Sequence, residues 1–171
     1  MWLTLLSRGE SDLATRCFAE QFFHQIEGNA QGLELKDEEC SFSKEGNFKE
    51  LPCEEVPHIF FEYIEKENSA KVKADFIVVV QDKCILVPKG SLLRAFSIEY
   101  SMVRIRVTEG EPIEKWSEIA SSISKKGIYR RLRSPIEGLL VLVYQDPLSK
   151  TDRYVLYVDT NNQAKVLRKN E

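Results

Sequence analysis

The sequence predicts an α/β protein with a central mixed β-sheet flanked by helices and a C-terminal β-meander. Three observations carry that expectation. The first is the stretch KADFIVVVQDKCILVPKGSLLRAF at 73–96, which reads as strand, tight turn, strand and short helix. Its runs 76–80 and 84–87 are apolar and β-branched, Gln81-Asp82-Lys83 is a polar turn, and Pro88 and Gly90 end the second run. Ser91 then caps a helix carrying Leu92, Leu93 and Phe96. The second observation is the spacing of Leu13, Cys17, Phe18, Phe22, Phe23 and Ile26, three and four apart, which predicts a helix over 12–26. The third is a pair of strand runs at 139–144 and 153–158, joined by an Asp146-Pro147 turn and followed by a shorter run at 164–167.

Ser11 is the N-cap of the first helix, Asp12 suits its positive end, and Gly28-Asn29 stops it. Leu33 and Leu35 alternate with Glu34 and Lys36, so 32–42 reads as a half-buried strand. Residues 44–56 are charged and broken by Gly46, Asn47 and Pro52, which predicts a loop. IFFEYI at 59–64 is a strand, and 68–71 is a polar link. In the strand at 98–107, Arg104 and Arg106 share a parity and project from one face. Ile113, Trp116, Ile119, Ala120 and Ile123 have helical spacing over 112–124, with Lys125-Lys126-Gly127 as a C-terminal stop.

Composition bounds the function. The chain has 171 residues, 43% hydrophobic and 30% charged, with a net charge of -3. That size suits one core at 1–109 with a helix-plus-meander extension at 110–171. No global positive field exists to gather nucleic acid, so such binding requires a local patch. The apolar start, 1–6, meets Ser7, Arg8, Gly9 and Glu10 at once, too soon for a signal or spanning segment. The expected compartment is therefore the cytoplasm, or the nucleus in a eukaryote, with no membrane. Cys17, Cys40, Cys53 and Cys84 lack zinc-site spacing and are expected as reduced, buried thiols. Glycine-rich phosphate loops, nucleophile elbows and zinc-protease motifs are absent from the sequence, and neither His24 nor His58 has a sequence-level partner.

Two constellations can carry chemistry. Glu34 and Lys36 project from one face of a strand, where a carboxylate can hold a divalent metal and an ammonium can stabilise developing charge. Lys125, Lys126, Arg130, Arg131 and Arg133 cluster around Tyr129, and Arg104 and Arg106 can join them. Cations with an aromatic suit phosphate contact and base stacking, on DNA or RNA. The acidic stretch 37–55 opposes this patch, and such polarity also suits a protein partner or self-association.

The segment from Glu62 to Phe96 resembles the later core of PD-(D/E)XK nuclease-fold proteins. The matching features are Phe60-Phe61-Glu62-Tyr63, Lys73-Ala74-Asp75-Phe76, Leu86-Val87-Pro88 and Leu92-Leu93, with Gly46-Asn47 ahead of them. The resemblance spans about residues 9–98. It implies a restriction-endonuclease-like fold and phosphodiester hydrolysis with Mg or Mn. Glu34 would be a ligand together with Asp37 or Glu62, Lys36 the charge stabiliser, and Glu20 an accessory on the first helix. The sequence departs from the pattern in having no aspartate between Asp12 and Asp37, which leaves the upstream ligand unfilled. Two expectations follow: a nucleic-acid-binding protein of nuclease-like fold, an endonuclease if its metal site is complete; or a non-catalytic protein-interaction subunit needing no cofactor.

Overall fold

Five consecutive apolar residues, Phe76–Val80, are all buried. A strand without a polar position needs cover on both faces. The computed structural model, which describes residues 15–20 and 31–170, supplies both covers. One is the inside of a closed barrel. Its strands are β1 (Arg16–Glu20), β2 (Gly32–Lys36), β3 (Glu39–Phe42), β4 (Phe48–Leu51), β7 (Phe76–Val80), β8 (Lys83–Val87) and β16 (Lys165–Lys169). They run β1-β4-β2-β3-β16-β8-β7 and close on β1. All neighbours are antiparallel except β16 and β3, which pair in parallel through two register positions.

The other cover is a six-stranded sheet built from β5 (Phe61–Ile64), β6 (Ser69–Val72), β9 (Leu92–Tyr100), β11 (Pro112–Ile113), β14 (Gly138–Gln145) and β15 (Asp152–Asp159). Its order is β11-β14-β15-β9-β6-β5. A third layer, the three-stranded sheet β10 (Met102–Ile105), β12 (Glu118–Ile123) and β13 (Tyr129–Arg133), covers its far side.

Side-chain parity assigns each residue to a layer. Ile77 and Val79 pack inside the barrel with Phe18, Leu33 and Leu167. Phe76, Val78 and Val80 pack outward against Val155 and Tyr157 of the six-stranded sheet. On that sheet's opposite face, Leu156 and Val158 meet Ile119 and Ala120 of the outer layer. Both middle strands are therefore buried on two sides, which is why LLVLVY in β14 reads as an unbroken apolar run. Each large apolar side chain buried this way contributes about 1.5–3 kcal/mol. The Asp159 carboxylate accepts hydrogen bonds from the backbone N–H groups of Asn161, Gln163 and Ala164, turning the chain back toward the barrel for β16.

The protein is thus nearly all β, which corrects the expected helix-flanked α/β sheet. The predicted first helix contains β1: Cys17 and Ala19 enter one core and Phe18 the other, the two-residue alternation of a strand. The rest of that prediction, 12–14 and 21–26 with His24, lies outside the described residues, as does the apolar start. The predicted helix after Ser91 is β9, held between β6 and β15 by ladders on both edges. Non-local pairing overrides local propensity there. The predicted helix at 112–124 is β11, a turn and β12. Trp116, counted in its stripe, sits in that turn with φ 70° and 60% exposed, so the helical spacing is coincidental.

The predicted loop at 44–56 contains β4 and a 3-10 turn, Cys53–Glu55. The strand expected at 59–64 begins as a short helix, α1 (Val56–Phe60), and becomes β5 at Phe61. The link at 68–71 lies mostly in β6. The 76–87 hairpin and the 139–158 strand pair form as expected, but the final short strand, β16, leaves that pair and enters the barrel between β8 and β3, so the expected C-terminal β-meander does not form.

The cysteines are not free thiols. Cys17 is bonded to Cys53 and Cys40 to Cys84, with Cα separations of 5.2 and 6.5 Å, within the usual disulfide span.

Candidate functional site

The outer sheet presents one face to the six-stranded sheet and one to solvent. Val103, Ile105, Ala120 and Leu132 pack inward. Alternation then turns Met102, Arg104, Tyr129, Arg131 and Arg133 outward. Two cross-strand rows result. Arg104 lies opposite Ser121, and Ser121 opposite Arg131. Met102 lies opposite Ile123, and Ile123 opposite Tyr129. These three are exposed, at 60%, 40% and 52%, a contiguous apolar row without cover. Ser121 is small and buried, so the centre of the face is low between its two arginines. Two strand spacings put those arginine Cα atoms about 10 Å apart.

A β-bulge between Glu118 and Ala120 brings the Glu118 carboxylate into the third row. It lies 3.6 Å from Arg106 and 4.0 Å from Arg131. Exposed pairs at such distances contribute about 0–1 kcal/mol and are readily exchanged for a phosphate. Arg133 donates to the Trp116 carbonyl at 3.1 Å. Arg104 has no ion-pair partner among the described residues. Lys125 and Lys126 are exposed in the β12–β13 turn beside Ile128. Arg130 is exposed but alternates with Arg131, so it belongs to the opposite parity. Seven of the eight basic-patch residues thus gather on one face and its turn.

The proposed metal and catalytic residues are not gathered. Glu34 and Lys36 are exposed on β2 of the barrel, with Asp37 in the next turn at φ 57°. Glu62 is on β5 of the six-stranded sheet, paired in register with Lys71. Glu20 ends β1, one step past the Ala19–Phe76 pair, beside Asp75. Burial, the charge of Asp75 and a hydrogen bond to it raise the Glu20 carboxyl above the usual range, partly offset by Lys89. Among the described residues, no three Asp, Glu, His or Cys side chains converge as metal ligands. No helix among them is long and apolar enough to cross a membrane.

Sequence reasoning missed a second concavity. The six-stranded sheet outgrows the barrel it packs on. Along β9, Leu93 is buried, Ala95 half-buried and Ser97 exposed, all on one face. The uncovered end of that face is the floor of an open groove of about 860 Å³, walled by α1 and β5 on one side and the β14–β15 turn on the other. The phenols of Tyr63 and Tyr157 hydrogen-bond to each other, and His58 Nε2 lies 3.0 Å from the Tyr144 hydroxyl. Arg153 is held between Asp146, at 3.3 Å, and Glu99, at 3.7 Å.

Burial first, then the hydrogen bond and charge of Tyr63, push the Tyr157 phenol far above the ordinary tyrosine value. Burial also raises Tyr144 and Tyr154, helped by Asp146 and Asp152. A phenol with a raised folded pKa contributes fully below its unfolded pKa, and its contribution is lost as pH rises above it. Phenolate absorbance from these three should therefore develop above pH of about 10, with unfolding stability falling through the same range. Spectrophotometric titration of the protein and Tyr157→Phe checks this: the variant should lose the latest part of the curve.

A family model described as an uncharacterized protein conserved in archaea (DUF2118) matches residues 21–161. No curated protein matches the chain. The nuclease resemblance is overturned by this match and by the β architecture. The segment from Glu62 to Phe96 is shared between the barrel and the six-stranded sheet, and its similarity lies in strand composition alone.

Proposed function

The chain belongs to this family of uncharacterized proteins conserved in archaea, and on that premise we propose that the outer three-stranded sheet binds single-stranded nucleic acid. The observation that carries the reading is the outward face of β10, β12 and β13. Arg104, Arg106, Arg131 and Arg133 share it with Tyr129, and Glu118 is the carboxylate set among them. Arginine meets phosphate as a planar, multidentate donor, and an exposed tyrosine offers a stacking surface to any base. An open three-stranded face is too broad for the DNA major groove, which admits a helix or a two-stranded ribbon. A flexible single strand can lie across such a face, phosphates along the arginine rows and a base on Tyr129. The reading concerns binding and assigns no hydrolytic step.

An acidic protein partner is the second reading, favoured by Met102, Ile123 and Ile128, whose exposed apolar side chains flank the cations. The test is fluorescence anisotropy with labelled oligo-U and oligo-dT over a salt series. Saturable binding is expected at low salt, with log affinity falling about 0.7 per phosphate neutralised for each tenfold rise in salt, near -3 for four arginines. No binding at low salt to either probe overturns the reading and leaves the protein-partner interpretation.

A further inference from the structure

The groove on the uncovered end of the six-stranded sheet shares no residue with the basic face. We propose that it is a binding site for an uncharged carbohydrate, a short neutral glycan of one or two rings.

Hydrogen-bonding capacity argues for hydroxyl-bearing ligands. In the Tyr63–Tyr157 pair one phenol donates and the other accepts, so one O–H proton is left to point elsewhere. In the His58–Tyr144 pair the imidazole and phenol also share a single proton between them. Each pair can donate or accept further, the dual capacity that a sugar hydroxyl matches.

Charge argues against an anion. The lining carboxylates Glu65 and Asp146 outnumber the one guanidinium, Arg153, which pairs with Asp146 and Glu99, so the groove carries no net positive charge to draw a carboxylate or phosphate. Shape supplies the rest. Ala95, Ser97 and Val155 make a floor of small side chains, on which a flat ring can rest. Tyr63, 53% exposed at the rim, gives an aromatic face against which the C–H face of a pyranose can pack. The groove volume, about 860 Å³, lies in the range of small-molecule sites.

The test is calorimetric titration of the full chain with maltose, cellobiose, mannobiose, N,N′-diacetylchitobiose and trehalose, with glucuronate and glucose 6-phosphate as charged comparators. At least one neutral disaccharide should bind saturably at millimolar concentration or below. Ser97→Trp, which fills the floor from an exposed position, should abolish binding, and Tyr63→Phe should weaken it about tenfold, the loss of one hydrogen bond of ~1.4 kcal/mol. Unchanged thermal unfolding of Ser97→Trp separates loss of site from loss of fold, while Tyr63→Phe, which takes the hydrogen-bond partner from the buried Tyr157 hydroxyl, should remain folded with a lowered melting temperature. Failure of all five disaccharides at 20 mM overturns the proposal, as does binding that survives Ser97→Trp. Tighter binding of a charged comparator than of any neutral sugar overturns its uncharged character. The oligonucleotide assay on the same variants should be unaffected, so the two readings fail separately.

Discussion

Chemical reduction should destabilise the protein by several kcal/mol, because the barrel depends on a covalent link at one of its two weakest seams. The parallel contact between β3 and β16 rests on two register pairs, Arg168 with Glu39 and Lys169 with Cys40. Every other seam of the barrel except the two-pair β2–β4 contact has four or more. The Cys40–Cys84 bond ties β3 to β8 across β16 from inside the barrel, where both cysteines are buried. Its loop spans 44 residues, and that of Cys17–Cys53 spans 36. Loop-closure entropy gives about 4 kcal/mol for each. Losses of that order are expected in denaturant unfolding when Cys84 or Cys53 is replaced by serine, and nearly their sum on complete reduction. Thiol counting under denaturing, non-reducing conditions should find no free cysteine. Four reactive thiols, with stability indifferent to reductant, would return the cysteines to the reduced state expected from sequence. The bonds do not identify a compartment, since intracellular disulfides are common in some archaea.

Reversing two charges on the outer sheet should remove nucleic-acid binding without touching the fold. Arg104 and Arg131 flank Ser121 in one cross-strand row and are exposed. Arg104→Glu with Arg131→Glu removes two phosphate contacts and adds two repulsions. Affinity for oligo-U at low salt should fall at least about 100-fold, and the salt slope should shrink by about 1.4, two phosphates' worth. Tyr129→Ala should act differently: a loss of about 1–3 kcal/mol with the slope retained, because stacking does not release counterions. Thermal unfolding of the three proteins should agree closely, since surface substitutions of this kind change stability little. Equal affinity in the double variant would place binding elsewhere or refute it.

How much of this is legible in the sequence depends on whether the signal is local. The 76–87 hairpin is legible because two dense apolar runs flank a polar turn. The parity of Arg104 and Arg106 is legible because a strand alternates whatever sheet it joins. The segments read as helix at 91–96 and 112–124, and at 16–20 within the expected 12–26 helix, are strands because non-local pairing decides their conformation and their apolar positions fall at helical spacing by chance; in β1, cover on both faces also erases the polar alternation of a strand. Cys17-Phe18-Ala19 shows this, with successive residues buried in different cores. The basic face is half legible. Its cations stand out at 125–133, but Ser121 and Ile123 are hidden while β12 is read as a helix. The groove leaves no local trace, since His58, Ser97, Tyr144 and Tyr157 converge only after the six-stranded sheet assembles and extends beyond the barrel.

The most direct test of the central claim is ultraviolet cross-linking of the protein to oligo-U, with the attachment sites read by mass spectrometry. Binding on the outer sheet predicts cross-links on the peptide containing Tyr129, and their loss in Arg104→Glu with Arg131→Glu. Cross-links confined to the barrel strands, or unchanged in the double variant, would contradict it.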